Sequence, residues 1–248
     1  MKLLTEIELE SSCIVANNRM NRERVALGNN GYETDLQMDP IDYLQKIYQS
    51  QGHVAWLDLC CGRAKAIIET GIRFVELNIH TNSTLVGVDL VGMFDDVPSH
   101  LDFVSLFESP LRSWNSSQKF DLITSVHGLH YVGDKLSIIS RAISMLRDKG
   151  RFIATLDLPN LRMVDSNQPN NAEKDFDFES LFLRRGFEFD SETRLLSFEK
   201  KNSNPFESDE APAAQHFFGL TFAGADDQAG PNFTGQEAVN SYYHAATR

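Results

Sequence analysis

The chain has 248 residues, of which 42% are hydrophobic and 10% aromatic, a composition that favours one domain with a substantial core over two independent domains. Its 23 Lys and Arg stand against 35 Asp and Glu, giving a net charge of −12, so it lacks the general attraction to phosphate backbones and we expect no nucleic-acid partner. The cluster of Arg19, Arg22 and Arg24 is interpreted as a solvated face.

Cysteine usage and the first residues favour a reducing compartment. Cys13, Cys60 and Cys61 are an odd number with two of them adjacent, which is not a disulfide framework. Residues 1–12 carry acids where a signal peptide needs an apolar core, and no apolar run is long enough to cross a bilayer. The sequence therefore predicts a soluble, cytoplasmic protein without a membrane partner.

Residues 1–53 are expected to form a polar, helical extension. The segment MDPIDYLQKIYQSQG predicts its firmest helix, because Asp39 can cap the start and Gly52 can end it. Tyr32 and Arg19 could fold over a ligand, but we interpret both as helical filler, that is, as helix residues with no part in binding.

From residue 54 the pattern changes to short, nearly continuous apolar runs, as expected for strands that are buried on both faces. The runs are VAWLDL, TLVGVDL, LDFVSL, KFDLITSV and GRFIATLDL. The segment GDKLSIISRAISMLRDKG predicts a helix that stops at Gly150, and KDFDFESLFLRRG predicts another. A hairpin is expected in FEFDSETRLLSFEK. Residues 54–201 are thus predicted to form an α/β core, a doubly wound, mostly parallel seven-stranded sheet with an antiparallel edge strand.

Residues 202–248 leave two interpretations open. Their acids and their frequent Gly, Ala, Pro and Asn are typical of a flexible tail. They also carry aromatic residues that could pack and polar residues that could bind a ligand, which would make them part of a substrate pocket. The residues in question are Phe217, Phe218, Phe222, Tyr242 and Tyr243 for packing, and His216, Asp226, Asp227 and Asn232 for binding.

The stretch WLDLCCGRA, residues 56–64, follows the first strand with a turn of small residues. Such a turn lets backbone approach a ligand at a helix start, and Gly62 is expected to be its one left-handed position. Asp89 ends the second strand and is placed to accept both hydroxyls of a ribose, so the pair predicts a nucleoside site. The dinucleotide pattern G-x-G-x-x-G is absent because Cys60 replaces its first glycine, which disfavours an NAD- or FAD-dependent oxidoreductase.

These motifs resemble those of the class I S-adenosylmethionine-dependent methyltransferases. LDLCCGRA is similar to the first family motif, Asp/Glu-x-Gly-x-Gly-x-Gly, with Asp58 and Gly62 in register and Cys60 and Ala64 departing from glycine. VGVDL resembles the second motif. KFDLITSVHGLHYV resembles the fourth strand and LRDKGRFIATL the fifth unit. The resemblance covers residues 54–199 and implies the Rossmann-like methyltransferase fold.

The resemblance also implies S-adenosylmethionine as cofactor and assigns roles in holding it. Asp89 would bind the ribose and Asp58 the methionine amino group, directly or through water, while Cys60 and Gly62 line the turn. Phe107 occupies the usual position of the adenine-reading Asp, and Glu108 follows it. His127 would lie nearer the cofactor.

The same comparison places His130 nearer the methyl acceptor, which would be a small molecule or a peptide. There His130 could act as a general base for an oxygen or nitrogen acceptor, or merely line the pocket, and Tyr131 could orient the acceptor. No metal is expected, because the two histidines lack a third ligand nearby. The departures at Cys60, Ala64 and Phe107 leave one alternative, a protein of this fold that binds a nucleoside cofactor or a partner without transferring methyl.

Overall fold

A computed structural model describes residues 3–12, 15, 23–165, 172–201, 214–226 and 238–246. Several residues named above lie outside the described residues, namely Cys13, Arg19, Arg22, Asp227 and Asn232.

The described residues form helices and strands in the alternation that the sequence predicts. The helices are α1 (Glu6–Glu10), α2 (Tyr32–Asp35), α3 (Pro40–Gln51), α4 (Lys65–Glu76), α5 (Lys135–Ser144), α6 (Phe178–Arg184) and α7 (Ala214–Phe217). The strands are β1 (Val54–Leu59), β2 (Ser83–Asp89), β3 (Val104–Glu108), β4 (Phe120–Ser125), β5 (Leu146–Thr155), β6 (Leu161–Val164), β7 (Glu173–Lys174), β8 (Glu188–Asp190), β9 (Leu195–Glu199), β10 (Leu220–Asp226) and β11 (Asn240–Ala245).

The main sheet has seven strands in the order β3-β2-β1-β4-β5-β9-β8. Strands β1 to β5 are parallel neighbours, and β9 runs antiparallel to both β5 and β8. The predicted doubly wound sheet and its closing hairpin are therefore confirmed. The antiparallel strand, however, lies second from the edge, with β8 outside it. Strand order reverses between β1 and β4, where ligands of such sheets bind.

The helix predicted from its caps is confirmed in detail. The Asp39 side chain accepts hydrogen bonds from the backbone N–H groups of Ile41 and Asp42, and Gly52 ends α3 in a left-handed conformation with φ of 74°. The helix predicted to stop at Gly150 ends earlier, at Ser144. The chain must leave the helix there because Leu146 already pairs with Phe120 of β4.

Described residues after β9 join two earlier strands in a second sheet instead of forming a solvated tail. Its order is β10-β11-β6-β7, and β11 runs parallel to β6, a strand that the sequence reading missed. Phe217, Phe218 and Tyr243 are buried in the same apolar cluster as the core side chains of α5 and β5. Of the two interpretations of this segment, the flexible tail is therefore wrong for residues 214–226 and 238–246.

The second sheet also holds the amino-terminal segment. Leu4 and Ala225 of β10 exchange two backbone hydrogen bonds, of 2.8 and 2.9 Å. Leu9 of α1 packs in an apolar cluster with Ala225 and Val239. Among the helices of the described residues, none is long and apolar enough to span a bilayer.

Candidate functional site

The turn after β1 contains three left-handed residues, where the sequence suggested one. Cys60, Gly62 and Ala64 have φ of 62°, 59° and 63°, and Ala64 caps the start of α4. Gly62 is left-handed as predicted, but the prediction that it would be the one left-handed residue of the turn is wrong. Left-handed conformations cost a residue with a Cβ roughly 1–2 kcal/mol, so Cys60 and Ala64 store strain at the two positions where the resembled motif has glycine.

Asp89 fastens this turn to the end of β2. One carboxylate oxygen accepts a hydrogen bond of 2.8 Å from the Gly62 N–H, and the other accepts one of 3.0 Å from the Val91 N–H. The side chain is 5% exposed and lines a cavity. Because a carboxylate can accept about four hydrogen bonds, holding the turn and binding a diol are compatible roles.

The cavity opens beyond the carboxyl ends of β1, β2 and β4, and the space between its walls, open mouth included, is about 1010 Å³. The amino-terminal extension forms one wall, with the side chains of Leu9, Arg24 and Tyr32. Of the predicted site residues, the cavity brings together Cys60, Gly62, Asp89, His127 and Tyr131.

Asp58 lies beneath this wall and not on it. It is fully buried, and its two oxygens accept hydrogen bonds of 2.7 Å from the hydroxyls of Tyr32 and Thr124. Burial raises the pKa of Asp58 to about 7, although both hydrogen bonds act to lower it. Tyr32 itself lines the cavity, and Asp58 holds its hydroxyl in place. The interpretation of Tyr32 as helical filler is therefore wrong: Tyr32 is the first residue of α2 and lines the cavity.

A series of polar contacts connects the amino-terminal extension with the residues after β4. The Arg24 guanidinium contacts one oxygen of Asp35 at 2.6 Å, and the other oxygen lies 3.3 Å from His127 Nε2. Partial burial acts to raise the pKa of Asp35, but His127 and Arg24 outweigh it and the pKa is lowered. His127 has φ of 54°. Arg24, interpreted from sequence as a solvated charge, instead brings a cation to the cavity.

His130 does not occupy the place predicted for a general base. It is fully buried and is not part of the cavity wall. Burial, followed by the charges of His127, Lys135 and Arg24, lowers its pKa to about 3. A histidine with so low a pKa is neutral and weakly basic at neutral pH. The prediction that His130 is the base is therefore wrong in geometry, whereas Tyr131 next to it does line the cavity.

Phe107 and Glu108 are also outside the cavity wall. Phe107 is 45% exposed on the edge strand β3, and its ring contacts Trp114 at 6.0 Å between centroids. The cavity is instead bounded on this side by Pro110, Leu111 and Arg112. The two residues that the resemblance assigns to the adenine do lie on β3. The segment that lines the cavity, however, begins two residues after Glu108, at Pro110.

Helix α1 lines the cavity through Glu6, Leu9 and Glu10 and is held at both sides. Both oxygens of Glu10 lie 3.0 Å from Arg112 Nε, and Glu6 accepts a 3.2 Å hydrogen bond from the backbone N–H of Asp134. We call residues 3–12 the strap. Among the described residues, no group of three or more His, Cys, Asp or Glu could hold a metal ion.

The order and direction of the seven strands are those of the Rossmann-like methyltransferase fold that the sequence motifs imply. No family model and no curated protein matches the chain. The match to a solved structure of CalS10, an amino pentose methyltransferase from Micromonospora echinaspora, has 17% identity, covers 46% of this chain and 48% of that one, and has a TM-score of 0.35.

Two further solved structures are similar at the same level. The match to the N-methyltransferase NodS from Bradyrhizobium japonicum has 15% identity, covers 64% of this chain and 85% of that one, and has a TM-score of 0.37. The match to the plantazolicin methyltransferase BpumL has 11% identity, covers 46% of this chain and 44% of that one, and has a TM-score of 0.37. The matches to CalS10 and BpumL span about half the length of those two proteins.

Proposed function

We propose that the protein is an S-adenosylmethionine-dependent methyltransferase that acts on an oxygen or nitrogen of a small molecule or peptide. The observation that carries the proposal is the buried Asp89 carboxylate, which lines the cavity beside a turn of three left-handed residues. A carboxylate at the second strand end and a small-residue turn at the first are the parts of a nucleoside site.

The cavity residues fit the chemistry of that cofactor. Asp89 suits the two ribose hydroxyls, and the backbone of Cys60 to Gly62 allows close approach. The Arg24 guanidinium suits the carboxylate of the amino-acid part, and Tyr32 suits a polar contact beside it. The aliphatic side chains of Leu90 and Leu111 suit a flat base. The cofactor, when bound, supplies an activated methyl group on a sulfonium.

The protein contributes alignment and exclusion of water. Its acceptor must approach the methyl group in line with the sulfur, so the walls that position the acceptor carry much of the rate. Tyr131, Val132 and Gly133 form the wall that follows β4, and we call it the acceptor-side wall. The strap, closing above it through Leu9, shields the cavity from solvent.

Calorimetry with S-adenosylhomocysteine tests the proposal. The wild type should bind it and should not bind NAD. Asp89→Asn should weaken binding by about tenfold or more, since a hydrogen bond to a charged group contributes about 1.5–3 kcal/mol. Asp42→Asn, which changes an exposed carboxylate of α3, is the matched control and should bind normally.

Methyl transfer then separates the enzyme from a protein that only binds the cofactor. Lysate metabolites and peptides would be incubated with methyl-labelled cofactor, and formation of a labelled product together with S-adenosylhomocysteine is expected. Binding with no labelled product from any fraction would support the non-catalytic alternative. Binding of NAD in place of S-adenosylhomocysteine would exclude both.

A further inference from the structure

Lys135 is a buried cation that the proposed chemistry does not use. It is the first residue of α5 and is 0% exposed. Its ammonium donates hydrogen bonds of 2.8 Å to the carbonyls of Val132 and Val239 and of 2.7 Å to Ser241 Oγ. The three donors of one ammonium are thus matched by three oxygens. The Val132 carbonyl belongs to the acceptor-side wall. The Ser241 hydroxyl belongs to β11, and the Val239 carbonyl to the residue just before that strand.

The strand β11 satisfies the backbone of the same loop at several other points. The Ser241 hydroxyl donates to the Gly133 carbonyl at 2.5 Å, and the Tyr243 hydroxyl accepts from the Leu136 N–H at 3.1 Å. The Val239 N–H donates to the His130 carbonyl at 2.8 Å. The loop between β4 and α5 therefore takes much of its conformation from a strand more than a hundred residues away in sequence.

Helix stability does not explain a lysine at this position. A cation in the first turn opposes the helix dipole, and burying an ammonium among neutral oxygens costs several kcal/mol before its hydrogen bonds offset the loss. Burial lowers the pKa of Lys135 to about 7, which reflects that cost. An aliphatic side chain would fill the space more cheaply, but it could not bridge three acceptors in two segments.

We propose that Lys135 is a positioning residue, whose ammonium docks β11 against the loop after β4 and so sets the acceptor-side wall of the cavity. The second sheet then takes part in acceptor recognition although none of its described residues lines the cavity. The reference to an acceptor rests on the proposed function, whereas the docking itself does not.

Hydrogen exchange measured on the full chain tests the docking without any acceptor. Lys135→Met keeps the length of the side chain and removes the donors. Amides in residues 129–136 and 239–245 should lose protection by about tenfold or more, while amides of β1, β2 and the turn between β1 and α4 should keep theirs. Lys46→Met, in an exposed ion pair on α3, is the matched control and should change neither region.

Ser241 provides a second route if Lys135→Met does not fold. Ser241→Ala removes one acceptor and one donor and should loosen the same two regions by a few-fold, and Ser241→Thr, which keeps the hydroxyl, should restore protection. Protection lost evenly over both sheets, or unchanged in residues 129–136, would refute the proposal.

Binding of S-adenosylhomocysteine separates this inference from the proposed function. Lys135→Met should bind it within about threefold of the wild-type affinity, because the ribose and turn contacts are remote from β11. A large loss would show that Lys135 shapes the cofactor seat and would contradict the proposal. If the wild type itself does not bind, the proposed function fails, and the exchange data still decide the docking.

Discussion

Gly128 and Cys60 lie next to each other just beyond the ends of β4 and β1. The coupling between their effects on stability can be measured. A Cβ added at Gly128 would lie 2.3 Å from Cys60 Cβ and 2.8 Å from both Cys60 Sγ and Ser125 Oγ. Carbon atoms pack at about 3.5–4.0 Å, so the overlap exceeds an ångström. The backbone of Gly128 has φ of −77° and ψ of −40°, which alanine adopts readily. Space alone therefore forbids a side chain there.

Gly128→Ala should destabilise the protein by about 2–3 kcal/mol, the range for an overpacked site. Cys60→Gly removes both Cys60 contacts and about 1–2 kcal/mol of left-handed strain, while it loses the packing of a half-buried thiol. In the double variant only the Ser125 Oγ contact remains, so the alanine should cost less than about 1 kcal/mol. The expected coupling is about 2 kcal/mol, within the range for residues in contact.

Urea unfolding followed by circular dichroism measures the four stabilities of this cycle. Binding of S-adenosylhomocysteine should follow the same pattern, lost in Gly128→Ala and recovered in the double variant. Additive effects, with a coupling below about 0.5 kcal/mol, would refute the reasoning, because they would mean that the two residues do not share this space.

Three further variants test the electrostatics of the site. Asp58→Asn should raise the slope of stability against pH between about 4 and 6.5 relative to the wild type, because folded Asp58 holds a proton up to about 7 that the unfolded chain has lost. His130→Phe should lower the same slope, since folded His130 is neutral down to about 3 and only the unfolded chain is protonated. Each change of slope should approach about 1.4 kcal/mol per pH unit in urea titrations; changes of the same sign would contradict the assignment. Arg112→Met should speed the release of S-adenosylhomocysteine by up to about fivefold, the value of a partly exposed ion pair, and stopped-flow release that is no faster would show that Glu10 does not fasten the strap.

The core of the fold could be predicted from sequence because its signals are local. Continuous apolar runs define strands buried on both faces, and Asp39 and Gly52 mark the ends of α3 by side-chain and backbone chemistry that needs no distant partner. That Asp89 and Gly62 lie together could be predicted for the same reason, since a turn after one strand and an acid after the next meet at one sheet edge.

The second sheet could not be predicted in this way. Strands β10 and β11 are separated by residues of loop-like composition, and β11 pairs with β6 about eighty residues earlier. Nothing local marks such a pairing. His130 shows the same limit for the site, because its place beside Tyr131 gave no sign that the ring would point into the core.

The strained turn shows a limit of motif matching. Cys60 and Ala64 looked like losses from a glycine pattern, yet both adopt the left-handed conformation that the pattern requires. Gly128 leaves the space that the Cys60 side chain fills, and the two residues come together only where the ends of β1 and β4 meet.

The dependence of the loop after β4 on β11 has a consequence for the order of folding. Contacts across 106 residues carry a large loop-closure entropy and form late, whereas the β1-α4-β2 unit consists of near neighbours. The proposed nucleoside site should thus be in place while the acceptor-side wall is still unformed. An early refolding intermediate would then bind S-adenosylhomocysteine before it could select a substrate.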